Sequence, residues 1–233
     1  MENRISSGSK IIDDLLSGGF EKGIISTLYG PAGSGKSNIA MLASITTAKA
    51  GKKAIYVDTE GGFSVERVKQ IDEDQKILNN ILLISPTTFD EQQKCFRKIR
   101  ELIKKEDVAA IVVDSIVMLY RLEMGSNGEA ATINKELARQ LSTLSEIARN
   151  NNIAVIVTNQ VYADFNNKNN VHMVGGDLLK YWSKAIIRLD LYKDDIRVAS
   201  IDKHRSISEN KKVFFKIEDK GLFEVKEKKF SLF

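Results

Sequence analysis

Residues 30–37, Gly30-Pro31-Ala32-Gly33-Ser34-Gly35-Lys36-Ser37, decide how the rest of the chain is read. They satisfy the pattern G-x-x-x-x-G-K-[ST] at all four fixed positions. The apolar run 24–29 precedes them and reads as a strand. Residues 37–50 follow, rich in helix formers and free of proline. Strand, glycine-rich turn and helix are the setting in which this pattern cradles phosphate. Glycines let the backbone curl until successive N–H groups converge on phosphate oxygens, and the start of the next helix adds the positive end of its dipole. The cradle is expected to run from Gly30 through Asn38. Lys36 is expected at the β- and γ-phosphates and the Ser37 hydroxyl at Mg²⁺.

Outward from this stretch the chain alternates between strand and helix patterns. Upstream, residues 6–18 read as a short helix with Ser9 as its N-cap and Ile11, Ile12, Leu15 and Leu16 as its apolar stripe. Downstream, residues 53–58 read as a strand that opens into the turn Thr59-Glu60-Gly61-Gly62-Phe63, and Ser64 caps a helix to about 71 that carries Arg67. A short strand over 80–85 is stopped by Pro86, and 90–106 is a charged amphipathic helix. Residues 109–114 are continuously apolar and end in Asp114, as expected of a central strand buried on both faces. The polar, glycine-containing stretch 121–128 reads as a loop, 129–150 as a long helix and 153–157 as a second buried strand running into Thr158-Asn159-Gln160. Residues 161–176, rich in asparagine, read as a long loop, and 177–181 as helical. From Lys184 the pattern shifts to short alternating runs at 186–192, 197–202, 212–217 and 222–225, with turn signals at Asp194-Asp195 and Asp219-Lys220-Gly221. The expected fold is α/β: one domain over 1–233 with a mainly parallel central sheet flanked by helices, and antiparallel strands in the C-terminal part.

Composition fits that reading. The chain has 233 residues, of which 42% are hydrophobic, enough for a sizeable core. One cysteine, Cys95, and two histidines exclude a disulfide framework and a thiolate metal cluster. The sequence shows no signal-peptide pattern and no apolar run of membrane-spanning length, so a cytoplasmic, nucleoid-associated protein is expected. Net charge is +4. Residues 1–159 carry 20 basic and 20 acidic side chains, so the whole excess falls in 160–233. That excess points toward a polyanion, although a lysine-rich solvated surface has the same composition.

In open parallel sheets ligands bind beyond the carboxyl ends of strands. Four features occupy such ends: the phosphate loop, Asp58 with Glu60, Asp114, and Asn159 with Gln160. Asp114 has the setting of a Walker B aspartate that holds Mg²⁺ directly or through a water. Glu60 is positioned to orient a water toward the γ-phosphate. Gln160, at the junction of core and long loop, is a candidate γ-phosphate contact that passes nucleotide state to that loop. For each, a surface acid, a turn residue or a strand-end amide is the alternative.

Several stretches together resemble the RecA/RadA recombinase core, and most closely its archaeal RadB paralogues. They are Ile5-Ser6-Ser7-Gly8-Ser9, the phosphate loop, residues 56–63 with Glu66-Arg67, Val112-Val113-Asp114-Ser115 leading to Leu119-Tyr120-Arg121, residues 137–141, Thr158-Asn159-Gln160-Val161, and Gly175-Gly176. The resemblance implies ATP and Mg²⁺ as cofactors, Glu60 as the water-activating glutamate, Arg67 as the arginine stacked on adenine, and Gln160 as the γ-phosphate sensor. It also implies DNA contacts from loops at 121–128 and 161–175, including Arg121 and Lys168, and a contact of the basic motif Lys203-His204-Arg205 with DNA phosphate or with a nucleotide across a subunit interface. Ser64 and Val65 depart from the family's usual Arg-Pro at those positions. Only about four residues precede the core, so the family's N-terminal helical domain and docking linker are not expected. The resemblance then implies an accessory factor that binds ATP and DNA, hydrolyses ATP weakly and assists a RadA-type recombinase. It leaves room for a homodimer and argues against an extended filament. An active DNA-dependent strand-exchange ATPase and a KaiC-like signalling ATPase are the competing readings.

Overall fold

A computed structural model describes residues 3–125, 130–163, 171–209 and 211–225. In chain order its elements are β1 (Arg4–Ile5), α1 (Lys10–Leu15), β2 (Phe20–Glu21), β3 (Ile25–Gly30), α2 (Lys36–Lys49), β4 (Lys53–Asp58), α3 (Val65–Ile71), β5 (Ile81–Ile84), α4 (Phe89–Leu102), β6 (Val108–Asp114), α5 (Met118–Gly125), α6 (Ala130–Asn151), β7 (Ala154–Ala163), β8 (Val171–Met173), α7 (Gly176–Trp182), β9 (Ala185–Leu191), β10 (Arg197–His204), β11 (Lys212–Glu218) and β12 (Gly221–Glu224). Strands β1 and β2 pair as a small ribbon at the ends of the α1 segment. The other ten form one sheet in the order β12-β11-β10-β9-β3-β7-β6-β4-β5, with β8 attached to β7. From β9 to β5 the neighbours run parallel. From β9 to β12 they run antiparallel. The α/β expectation with an antiparallel C-terminal part is met.

Alternation along the parallel strands divides the core in two. Leu28, Tyr56, Val112 and Ile156 face α1 and α2, whereas Ile25, Ile55, Val57, Ile111, Val113, Val155 and Val157 face α4, α6 and α7. The central strands are apolar at nearly every position because helices cover both faces. Strand β3 sits at the middle of this arrangement, so the phosphate loop leaves the sheet with strands on either side.

Three local expectations are corrected. Residues 121–125 are helical, not loop: α5 begins at Met118, buries Leu119 and Tyr120, and the Tyr120 hydroxyl donates to Asn134 at 2.8 Å. That packing outweighs the polarity of Arg121 and Glu123, which simply face outward. The stretch 161–176 is partly a β-hairpin, in which β8 pairs back on β7 with Val161 opposite Met173. The Ser9 side chain makes no capping bond. The Asp13 carboxylate organises that turn instead, accepting from the Ser7 N–H at 2.7 Å and the Ser6 hydroxyl at 2.5 Å. The turn signal at Asp194-Asp195 holds. Both residues have positive φ, 54° and 59°, as a two-residue hairpin turn with right-handed strand twist requires.

Candidate nucleotide site

The loop from Gly30 to Gly35 is set tightly against its neighbours. A Cβ on Gly30 would lie 2.0 Å from the Leu189 carbonyl oxygen of β9. Gly35 has φ 101° as N-cap of α2, and a Cβ there would stand 3.1 Å from Ile217 on β11. A side chain at Gly30 would collide with the β9 backbone, and one at Gly35 would be strained by the positive φ and crowd Ile217. Pro31, Ala32 and Gly33 form the outer rim, with Ala32 and Gly33 exposed.

Lys36 is 8% exposed and folds over the loop, donating to the carbonyls of Gly30 at 3.0 Å and Pro31 at 2.8 Å. Burial pushes its ammonium below the ordinary lysine value, while Glu60 and Asp114 pull it back up. The charges of Glu60 and Asp114 are therefore felt at Lys36. The Ser34 hydroxyl is buried with no hydrogen-bond partner among the described residues. An unpaired buried hydroxyl beside a lysine ammonium at the start of a 14-residue helix suits an anionic ligand, and these residues fit a nucleotide phosphate chain.

Asp114 ends β6, next to β4 and β7. Its carboxylate is 4% exposed and accepts from the Tyr56 hydroxyl at 2.7 Å and the Thr158 hydroxyl at 2.5 Å. Each oxygen keeps a further lone pair, which suits a metal held directly or through a water. Ser37, half-buried at the start of α2, is the second candidate for the metal.

Glu60, in the turn after β4, and Gln160, in β7, lie 100 residues apart and meet. The Gln160 amide donates to the Glu60 carboxylate at 2.9 Å. Gln160 also stands at the root of the β7–β8 hairpin, where its carbonyl accepts from the Val174 N–H at 3.4 Å. The amide of its neighbour Asn159 donates to the Val174 carbonyl at 2.9 Å. The turn that presents Glu60 is built by Asp58, whose carboxylate accepts from the N–H groups of Glu60 at 3.2 Å, Gly62 at 3.1 Å and Phe63 at 2.9 Å.

On the other side of α2, the Ser64 hydroxyl caps α3 by accepting from the Arg67 N–H at 3.1 Å. The Arg67 guanidinium reaches Asn38 at 3.3 Å, Gln70 at 3.0 Å, and the carbonyls of Asp219 at 2.9 Å and Glu218 at 2.8 Å in the β11–β12 turn. It thereby walls a cleft of about 400 Å³ floored by Ser37, Asn38 and Met41. A second cleft of about 380 Å³ continues from Ser37 and Asn38 over Gly33 and Lys36 to Arg197.

The positions expected to meet DNA are spread over both ends of the sheet. Arg121 is exposed on α5, and Lys168 lies outside the described residues. Lys203, His204 and Arg205 lie at the opposite end, because His204 pairs with Ala185 at the start of β9. Lys203 donates to the Lys180 carbonyl at 2.6 Å, and Arg205 pairs with Glu21. The His204 side chain is 1% exposed and faces Glu21 at 4.0 Å, so it is not offered to a ligand from solvent.

Sequence reading missed the structural role of Asp58, the paired donors Tyr56 and Thr158, and Arg197. Tyr56 pairs with Val112, two residues before Asp114, so its hydroxyl meets the carboxylate only through strand pairing, and nothing local marked Arg197.

Comparison with known proteins identifies the family. The Rad51 family profile matches residues 3–225. A Methanobrevibacter smithii protein named DNA repair and recombination protein RadB is 46% identical over 218 residues, covering 91% of this chain and 92% of that one. A protein of the same name from Methanocaldococcus jannaschii is 41% identical over 215 residues, covering 91% and 98%. A solved structure described as the crystal structure of the RadB recombinase matches with a TM-score of 0.81 at 37% identity, over 95% of this chain and 100% of that one. The chain therefore belongs to the Rad51 family, alongside its RadB proteins.

Proposed function

We propose that the protein is a RadB-type accessory factor of DNA repair and homologous recombination, whose grip on DNA is set by bound nucleotide. ATP with Mg²⁺ supplies a γ-phosphate whose presence or loss is the signal. The phosphate chain is assigned to the loop from Gly30 to Ser37 and to Lys36, the metal to Ser37 and, directly or through a water, to Asp114, and the base to the cleft beside Asn38 and Arg67. Glu60 orients water, and Gln160 reads the γ-phosphate.

The observation that carries this reading is the Glu60–Gln160 bond at the root of the β7–β8 hairpin. A phosphate competing for either partner would break that bond and move the base of the hairpin, a short lever between nucleotide and loop. DNA is assigned to the carboxyl ends of the strands, to Arg121 on α5 and to the segment between β7 and β8 whose sequence includes Lys168. Its phosphates would be held without regard to sequence. The intended partner is a RadA-type recombinase. Weak hydrolysis is part of the proposal.

The test is ATP turnover with and without single-stranded DNA, beside DNA binding at two salt concentrations. Salt-sensitive binding with little turnover is expected. Turnover strongly stimulated by DNA would favour a strand-exchange ATPase, and no DNA binding at low salt would end both readings.

A further inference from the structure

Arg197 is the one basic side chain that β10 brings to the phosphate loop. Its Nε donates to the Gly33 carbonyl at the outer rim of the loop at 3.2 Å, and its Nη1 donates to the Asp195 carbonyl at 2.5 Å. It lines the same cleft as Lys36, Ser37 and Asn38. The side chain is half-buried, and the tight Asp194-Asp195 turn fixes the strand that carries it. Two main-chain carbonyls use only part of a guanidinium's five donors, and a planar fork of N–H groups suits phosphate oxygens.

We propose that Arg197 is a second cationic ligand of the nucleotide, supplied from the same chain, and that it holds the part common to ATP and ADP. The inference rests on the nucleotide reading above. Strand order decides which part of the nucleotide is met. In the sequence β11-β10-β9-β3-β7-β6-β4, the loop leaves from β3. Glu60 and Gln160 stand on the β7–β4 flank and Arg197 on the β10 flank. The γ-phosphate is assigned to the first flank. The second flank runs by way of Ser37 and Asn38 into the Arg67 cleft assigned to the base, so Arg197 lies beside the phosphates between.

The experiment is equilibrium binding of fluorescent ADP and ATP analogues to the full chain, as wild type, Arg197→Gln, Arg197→Lys and Lys36→Ala, at low and high salt. Thermal melts check folding. Arg197→Gln is expected to weaken both nucleotides by the same factor, about tenfold at low salt, with the loss shrinking at high salt. Arg197→Lys, which keeps charge without the fork, is expected to fall between and covers the case in which the glutamine variant does not fold. Unchanged ADP affinity, a loss confined to ATP, or a loss indifferent to salt would overturn the proposal. Lys36→Ala separates the two failures: if it loses both nucleotides while Arg197→Gln binds normally, the nucleotide site stands and Arg197 is excluded. If Lys36→Ala binds normally, the nucleotide reading itself fails.

Discussion

Replacing Asp58 with alanine tests how the Glu60 turn is held. The Asp58 carboxylate is 5% exposed and accepts three main-chain N–H bonds, from Glu60, Gly62 and Phe63. At about 0.5–1.5 kcal/mol for each, with partial compensation by water at this rim, the loss comes to about 1–4 kcal/mol. For a chain of this length each kcal/mol moves the melting temperature by roughly 2–4 °C, so a fall on the order of 10 °C is expected. The damage is local. Thr59 remains tied to Ser115 through its hydroxyl at 2.8 Å, and Lys36 keeps its own carbonyl partners. Nucleotide affinity should therefore fall much less than any hydrolysis, which needs Glu60 in place. Asp58→Asn keeps one acceptor oxygen and should lose about half as much stability. The assay is a thermal melt of each variant, followed by nucleotide titration and single-turnover hydrolysis. An alanine variant that melts within about 1 °C of the parent and hydrolyses ATP normally would refute the argument.

Further expectations are as direct. Glu60→Gln should bind ATP normally and lose hydrolysis; retained turnover would remove Glu60 from the chemistry. Burial and the nearby Arg4 and Arg205 hold His204 below its ordinary value, against the pull of Glu21. The fold thus prefers the neutral ring, so stability is lost as pH falls from the ordinary histidine value toward the lowered one. His204→Asn should shrink the drop in melting temperature between about pH 7.5 and 5.5, and an identical drop would contradict the assignment. Burial pushes the Cys95 thiol up to about 12, so it should react with a thiol reagent only when the protein unfolds. Rapid reaction in the native protein would show that helix α4 opens there.

Local pattern reached much of this molecule. The phosphate loop is a contiguous string, and its strand and helix context needed no long-range information. Apolar runs at Ile111–Val113 and Val155–Val157 announced buried strands because both faces of the sheet are covered. What stayed hidden depends on chain crossings. Asp58 looked like one more strand-end acid until its three N–H partners were in view. The Lys203-His204-Arg205 motif looked available to a polyanion. Antiparallel pairing of β10 with β9 carries it to the far end of the sheet and turns the histidine inward. Leu119 and Tyr120 lie just before the polar stretch that read as a loop, and their packing keeps that stretch helical. Arg197 entered the site only because the same pairing brings the start of β10 to Gly33.

The central claim is that bound nucleotide sets the grip on DNA through Gln160. The direct measurement is the anisotropy of labelled single-stranded DNA titrated with wild type and Gln160→Ala, each with ATP, with ADP and without nucleotide. Wild-type affinity should differ between ATP and ADP, and Gln160→Ala should bind DNA equally under both while still binding ATP. Wild-type affinity that is indifferent to nucleotide, or an ATP–ADP difference that survives the substitution, would contradict the account.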